Sequence, residues 1–375
     1  MTSVRVVDAA AVTAMGDTCD ALWDGLLAGR TAIRPVRRFA VERYGAGIAA
    51  CIEDLTSGPG CSLLHALLER LWARFGPVPG DTVLLTATTK GGIDNLERAA
   101  RGAPAEPGDV LLSGMIEAVA GRFDLTGGIN VSAACASSTI ALGRGAALIR
   151  AGRAESVLVV CADLVTEFVF SGFSALQALS PEPCRPFDRE RHGLSLGEGA
   201  AALLLMREDR ARREGRAEWG TILGWGIAND AQHITAPARD ACGLIRAARR
   251  ALEMAGVTDR IAAYGAHGTG TVYNDCMELT ALRALFGARR LPIYGVKGAI
   301  GHTLGAAGGI EAVIGLLCLR AGVIPPTVGF RNPEPGAEGL VSAAPAALAG
   351  DAILLGNAGF GGINAALVLG CGGYG

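Results

Sequence analysis

The chain has 375 residues, half of them hydrophobic and 19% charged, and Lys plus Arg 34 against Asp plus Glu 36 leaves a formal net charge of −2. So even a balance gives no basic footprint for nucleic acid or an anionic membrane, and the length allows one large core or two fused halves. The opening MTSVRVVDAAAVTAMGD lacks the parts of a secretory signal, and no uninterrupted apolar run reaches the roughly 18 residues of a membrane span, so a soluble, cytoplasmic protein is expected.

In chain order, β-branched runs predict strands over Val4–Val7, Thr82–Thr86, Ser156–Cys161 and Ala201–Met206. Ala/Leu-rich stretches predict helices over Ala21–Leu27, Leu63–Phe75 and Ser138–Ala151. After the charged stretch Arg207–Arg216 the alternation begins again. Strands are predicted over Ala263–Ala266, Pro292–Val296, Ala352–Leu355 and Ala365–Leu369, with helices over Gly243–Ala255, Met277–Leu285 and Ala306–Leu319. This pattern belongs to an α/β chain whose sheets are covered by helices, and the two series suggest a duplicated architecture divided as 1–215 and 216–375. Arg207–Arg216 reads equally well as a linker or as a solvated helix.

Ten cysteines are scattered without CxxC spacing and apart from the five histidines, so no metal site or disulfide framework is expected, and most cysteines should be small buried hydrophobes. Cys135 differs in its neighbours. It lies in Ser132–Ala141, SAACASSTIA, among small residues and just ahead of a helix. A cysteine at the positive end of a helix dipole is expected to have a lowered pKa and to react as the thiolate.

Two histidines sit in glycine-flanked turns. His267 falls in GAHGTGTVYNDCME directly after a predicted strand, and His302 falls in KGAIGHTLGAAGGIE, five residues after Lys297 and nine before Glu311. Neutral imidazoles can donate hydrogen bonds to a thioester oxygen that becomes an enolate, with Lys297 setting local protonation and Glu311 as its counter-ion. His65 and His192 read as ordinary hydrogen-bonded residues.

Taken together, VTAMGDTCDALWDGLLAGRTAI, SAACASS, CRPFDRERHGLSLGEGAAALLL, AHGTGT, KGAIGHTLGAAGGIE and GNAGFGGINAALVL resemble the elongating β-ketoacyl-acyl carrier protein synthases of the thiolase superfamily, nearly end to end. The resemblance implies a thiolase-like duplicated α-β-α-β-α five-layered sandwich. It implies decarboxylative condensation of an acyl chain on Cys135 with malonyl-acyl carrier protein, in fatty acid, polyene or polyketide elongation. It assigns a Cys135–His267–His302 triad supported by the Lys297–Glu311 ion pair. Thr269 and Thr271 would bind the pantetheine arm. Phe360, between Gly359 and Gly361, would be the gate, and the backbone N–H groups of Cys135 and Phe360 would form an oxyanion hole.

No bound cofactor is implied, the phosphopantetheine thioester being substrate. The implied partners are an acyl carrier protein and a second subunit, in a homodimer or in a heterodimer with a related ketosynthase or chain-length-factor subunit. Two departures stand out: Ala358 replaces a phenylalanine common before the gate, and Cys51–Pro77 looks shortened. Arg70 and Arg74 there are candidate carrier-protein contacts, with solvated helix charges as the alternative. The competing readings are a non-catalytic chain-length-factor-like subunit, which usually lacks the nucleophile, and a coenzyme A-dependent thiolase, for which Cys371 in CGGYG lacks the right surroundings.

Overall fold

The computed structural model describes residues 3–372, in which ten strands form one continuous sheet. The first half supplies β1 (Val4–Thr13), β2 (Val83–Ala87), β3 (Gly128–Val131), β4 (Ser156–Asp163) and β5 (Gly199–Arg207). The second supplies β6 (Gly220–Asn229), β7 (Ile261–Gly265), β8 (Ile293–Tyr294), β9 (Ala352–Gly359) and β10 (Ile363–Gly370).

From the centre outward the order is β1-β5-β4-β2-β3 on one side and β6-β10-β9-β7-β8 on the other. Each half thus places its first, fifth, fourth, second and third strands in the same sequence. The pairing sense repeats too: the two inner pairs are antiparallel and the two outer pairs parallel. The halves join where Val4–Val6 of β1 pairs antiparallel with Gly220–Ile222 of β6.

Helices α1 (Cys19–Leu27), α2 (Leu63–Trp72), α3 (Leu112–Phe123), α4 (Ser137–Arg150), α5 (Glu167–Ala175), α6 (Cys242–Ala255), α7 (Val272–Phe286) and α8 (Ala307–Ala321) cover this sheet. α4 and α8 occupy equivalent places in the two halves and pack on each other, forming the middle layer of the expected duplicated α-β-α-β-α sandwich. Every residue from Ala307 to Leu319 is buried, so α8 is apolar on all sides because protein surrounds it. The stretch Leu304–Ala321 has the length and hydropathy of a membrane span, but 89% of it is buried within the protein and it is a core helix.

The predicted strands and helices all occur, while β3, β6, α3 and α5 were not predicted. β3 is a four-residue edge strand with exposed Gly128 and Ile129, too short to show a period. β6 reads GTILGWGIAN, and its glycines look like loop punctuation. They have a packing reason instead: a Cβ on Gly226 would lie 1.9 Å from the Ala247 carbonyl oxygen, and one on Gly224 would lie 2.1 Å from that of Ala251. Helix α6 rests directly on the strand backbone, which only glycine permits.

Arg207–Arg216 contains a short helix, Glu208–Arg213, laced by the i,i+4 pairs Arg210–Glu214, Arg212–Glu208 and Arg213–Asp209. The cysteine expectation needs correction: Cys135, Cys161, Cys184 and Cys318 are buried, but Cys61 is exposed and the others are half-buried.

Candidate active site

β3 runs into a tight turn that ends at Ser137, the first residue of α4. Ala134 sits in the left-handed region at φ +48°. The Ser137 hydroxyl locks that turn by accepting from the Ala133 N–H at 2.8 Å and donating to the Ala134 carbonyl at 2.6 Å. Cys135 is therefore held just ahead of α4 and is 8% exposed. Gly308 lets α8 press on the same helix end, since a Cβ there would fall 1.9 Å from Thr139 Oγ1.

His302 brings Nε2 to 3.0 Å from Cys135 Sγ, while its Nδ1 accepts the Leu304 N–H at 3.3 Å. That acceptor role leaves the proton on Nε2, facing the sulfur. His267 stands edge-on to His302, ring centroids 5.2 Å apart at 86°. Its Nδ1 faces two donors at 3.4 Å, Lys297 Nζ and Asn357 Nδ2, so its proton too belongs on Nε2. Burial, and after it the Lys297 charge, lowers the pKa of both imidazoles well below 6.5. Both are neutral donors.

Lys297 is 1% exposed and donates to Glu311 Oε1 and to the His267 carbonyl, each at 2.5 Å. Burial pushes the Glu311 carboxyl up, and Lys297 pulls it back.

The expected lowering of the Cys135 pKa is overturned. Burial pushes this thiol up to about 12, and the opposing pull of Lys297 does not offset it. Local sequence shows the helix start but not the depth at which the sulfur lies. The resting group is a thiol near neutral pH, and it must give up its proton during attack.

Three supporting residues were missed. Glu278 on α7 accepts the His267 and Gly268 N–H groups at 2.7 Å each, so it fixes the turn that carries the imidazole. Asn357 at the end of β9 donates to Glu311 Oε2 at 2.7 Å and accepts from the Thr139 hydroxyl at 2.5 Å, tying the ion pair to α4. Asp163 at the end of β4 is fully buried and accepts from Thr88, Thr89, Lys90 and Gly305. Glu278 closes the segment GAHGTGTVYNDCME, eleven residues after His267, and that spacing was the available clue.

Two cavities meet at Cys135. One of about 550 Å³ is lined by His267, Thr269, Thr271, His302 and Ala358, and the other, of about 350 Å³, by Thr89, Lys90, Ser132 and Phe168. Cys135, Phe173, Leu176 and Phe360 line both. The Phe360 ring stacks on Phe173 at 5.8 Å and 29°, so this pair stands where the two spaces adjoin. The Gly361 N–H, in an exposed turn, donates to the Ile234 carbonyl. A Cβ on Gly359 would lie 3.2 Å from the Cys135 nitrogen, so the Gly359–Phe360 backbone passes close to the nucleophile turn. The Thr269 and Thr271 hydroxyls are 2.8 Å apart on the wall of the larger cavity.

Other candidates fall outside this arrangement. Arg70 is ion-paired with Asp17 and Asp54 at the surface, Arg74 is exposed, and His65 bonds Asp109 at 2.7 Å. Cys371 lies beside the Leu319 carbonyl, away from the triad. His192, expected to be an ordinary hydrogen-bonded residue, is exposed at the larger cavity.

Among the described residues, the Cys135, His267 and His302 side chains offer ligand atoms within 4.8 Å of one another, the spacing of a metal grouping and a departure from the expectation of none. The tautomers disfavour that use, because the donors facing both Nδ1 atoms assign a proton to Nε2 of each ring.

Residues 85–211 match the family model described as Beta-ketoacyl synthase, N-terminal domain, and residues 219–331 match its C-terminal domain. A 3-oxoacyl-[acyl-carrier-protein] synthase 2 of Coxiella burnetii is 29% identical over 399 aligned residues, covering 96% of each chain. The solved ishigamide ketosynthase/chain length factor superposes with a TM-score of 0.91 at 28% identity, over 99% of this chain and all of the other. The ketosynthase ApeO in complex with its chain length factor ApeC, from Xenorhabdus doucetiae, gives 0.83 at 26% identity, over 99% of this chain and 98% of that one. With two consecutive matches in the family's own order, on the family's fold, this chain belongs to the β-ketoacyl synthase family.

Proposed function

We propose that this condensing enzyme joins an acyl group held on Cys135 to a malonyl thioester, with His267 and His302 as paired donors to the developing enolate oxygen. One observation carries the reading: the two rings meet edge-on beside Cys135, His302 Nε2 lies 3.0 Å from the sulfur, and both Nδ1 atoms face protein donors, which assigns the proton of each ring to Nε2.

In the first half-reaction the Cys135 sulfur attacks an acyl-pantetheine carbonyl. The carbon–sulfur bond to pantetheine breaks, and the cysteine proton ends on the departing pantetheine sulfur. The Cys135 and Phe360 backbone N–H groups receive the tetrahedral oxyanion, each donor contributing typically about 3 kcal/mol. Thr269 and Thr271 hold the pantetheine arm, and Phe360 with its glycine neighbours swings to open the way to the smaller cavity.

In the second half-reaction the bond from the malonyl C2 to its carboxylate breaks, and CO₂ leaves. The electron pair becomes an enolate whose oxygen accepts from His267 and His302. C2 attacks the acyl–Cys135 carbonyl, the carbon–sulfur bond breaks, and the released thiolate takes up a proton. Burial, with the Lys297 charge after it, keeps both imidazoles neutral throughout, each with one N–H to donate.

We place the boundary between the halves at residues 215 and 216, between β5 and β6, where the repeated strand order begins again. The acyl donor is an acyl carrier protein, and the chain works as a dimer in the cytoplasm. The exposed edge strand β3 and the exposed apolar Leu111, Ile129, Phe168 and Leu176 favour pairing with a second subunit. A chain-length-factor partner would parallel the ApeO–ApeC complex, and sedimentation of the purified protein decides between self-pairing and dependence on a partner. The products serve fatty acid, polyene or polyketide elongation.

The test is intact-mass measurement after incubation with acyl-carrier thioesters. Wild type gains the acyl mass at Cys135, and Cys135→Ala gains none. Normal condensation by Cys135→Ala would overturn the covalent mechanism.

A further inference from the structure

The smaller cavity beside Cys135 has a chemical character that an alkyl-chain pocket does not need. One face of α5 (Phe168, Val169, Phe173 and Leu176) gives it an apolar wall, and Phe360 closes one side. Besides Cys135, its one ionisable lining residue is Lys90. The volume of about 350 Å³ lies within the roughly 300–1,000 Å³ of small-ligand sites.

Lys90 is fixed in place by its backbone. It follows Thr88 and Thr89 on the loop after β2, and the buried Asp163 carboxylate accepts from both hydroxyls and from the Thr89 and Lys90 N–H groups. Among the described residues, no hydrogen bond or ion pair engages its ammonium group. Its charge nonetheless reaches the nucleophile, because it opposes the rise in the Cys135 pKa. The chain has only two lysines, Lys90 and Lys297, every other basic side chain of this class being arginine, and both act on Cys135. A hydrocarbon chain filling this slot would strip water from the ammonium group and give nothing in return. An anionic oxygen would pair with it in apolar surroundings.

We propose that the acyl group transferred to Cys135 carries a carboxylate on its distal part, which pairs with Lys90 in the smaller cavity. This rests on the reading of Cys135 as the acyl acceptor and adds a substrate class to it.

The experiment follows acylation of the full-length protein by intact mass, using carrier thioesters of matched length that end in methyl or in carboxylate, with acetyl carrier thioester as the reference. Wild type should load the carboxylate-ended chain about tenfold faster than its methyl counterpart, the smallest advantage expected of one charge-assisted hydrogen bond. Lys90→Met should erase or reverse that ratio, and Lys90→Arg should keep it. Acetyl loading by wild type with equal or faster loading of the methyl-ended chain would overturn this inference and leave Cys135 as the acyl acceptor. Absence of even acetyl loading in wild type would overturn both.

Discussion

His302 meets the Cys135 sulfur through the ring nitrogen that bears its proton, because the Leu304 N–H occupies the other nitrogen. The imidazole at 3.0 Å is therefore a donor to sulfur and not a base for it. This relationship sets what the thiol does at rest and what the histidine does during condensation.

A thiol pushed up to about 12 by burial should alkylate slowly near neutrality. The thiolate is the reactive form, so the rate of Cys135 modification by iodoacetamide should climb about tenfold per pH unit between about pH 7 and 10, without a plateau. Mass-resolved alkylation of Cys135 checks this. A plateau below about pH 8 would mean that the helix start and the His302 donor outweigh burial.

Lys297→Met should remove the charge that adds to burial in lowering both imidazole pKa values, and strand the Glu311 carboxylate in the core. Loss of one partner of a buried pair costs about 3–5 kcal/mol. Denaturant unfolding should report that loss, and Lys297→Met with Glu311→Gln should regain much of the stability without regaining condensation.

The pH behaviour separates two groups. Burial, followed by Lys297, keeps both imidazoles neutral well below pH 6.5, so nitrogen NMR should find each ring neutral, with a single N–H, at about pH 6. Burial pushes the Glu278 carboxyl up to about 7. Its carboxylate, which holds the His267 and Gly268 N–H groups, prevails above that value and is lost as pH falls through it. Condensation should weaken below about pH 7, and Glu278→Gln should abolish that limb while lowering the plateau. Imidazoles titrating at 6.5 would contradict this account.

Gly226→Val places side-chain carbon where α6 already touches the strand. Overpacking of this kind costs about 1–3 kcal/mol, measurable as a lower urea midpoint. An unchanged midpoint would show that α6 can retreat freely.

The fold and the centre of the site were legible for different reasons. The strand and helix periods survive in the sequence where an element packs regularly against the core, whereas the glycine-laden β6, the short edge β3 and the glycine-interrupted helices α3 and α5 disguise theirs. Cys135, His267, Lys297 and His302 stand in glycine- and alanine-rich turns that announce close backbone approach. Asn357 and Asp163 act through partners distant in the chain, from positions at strand ends that no local pattern marks, while only the spacing of Glu278 from His267 hinted at its role. The Cys135 pKa failed to read correctly because burial is a property of the assembled layers, while the helix start is a property of neighbours.

Release of CO₂ from malonyl-carrier thioester tests the paired-donor centre most directly. His267→Ala and His302→Ala should each slow it by about 100-fold or more, the usual cost of losing one preorganised oxyanion donor. Decarboxylation at the wild-type rate in both variants would contradict the account.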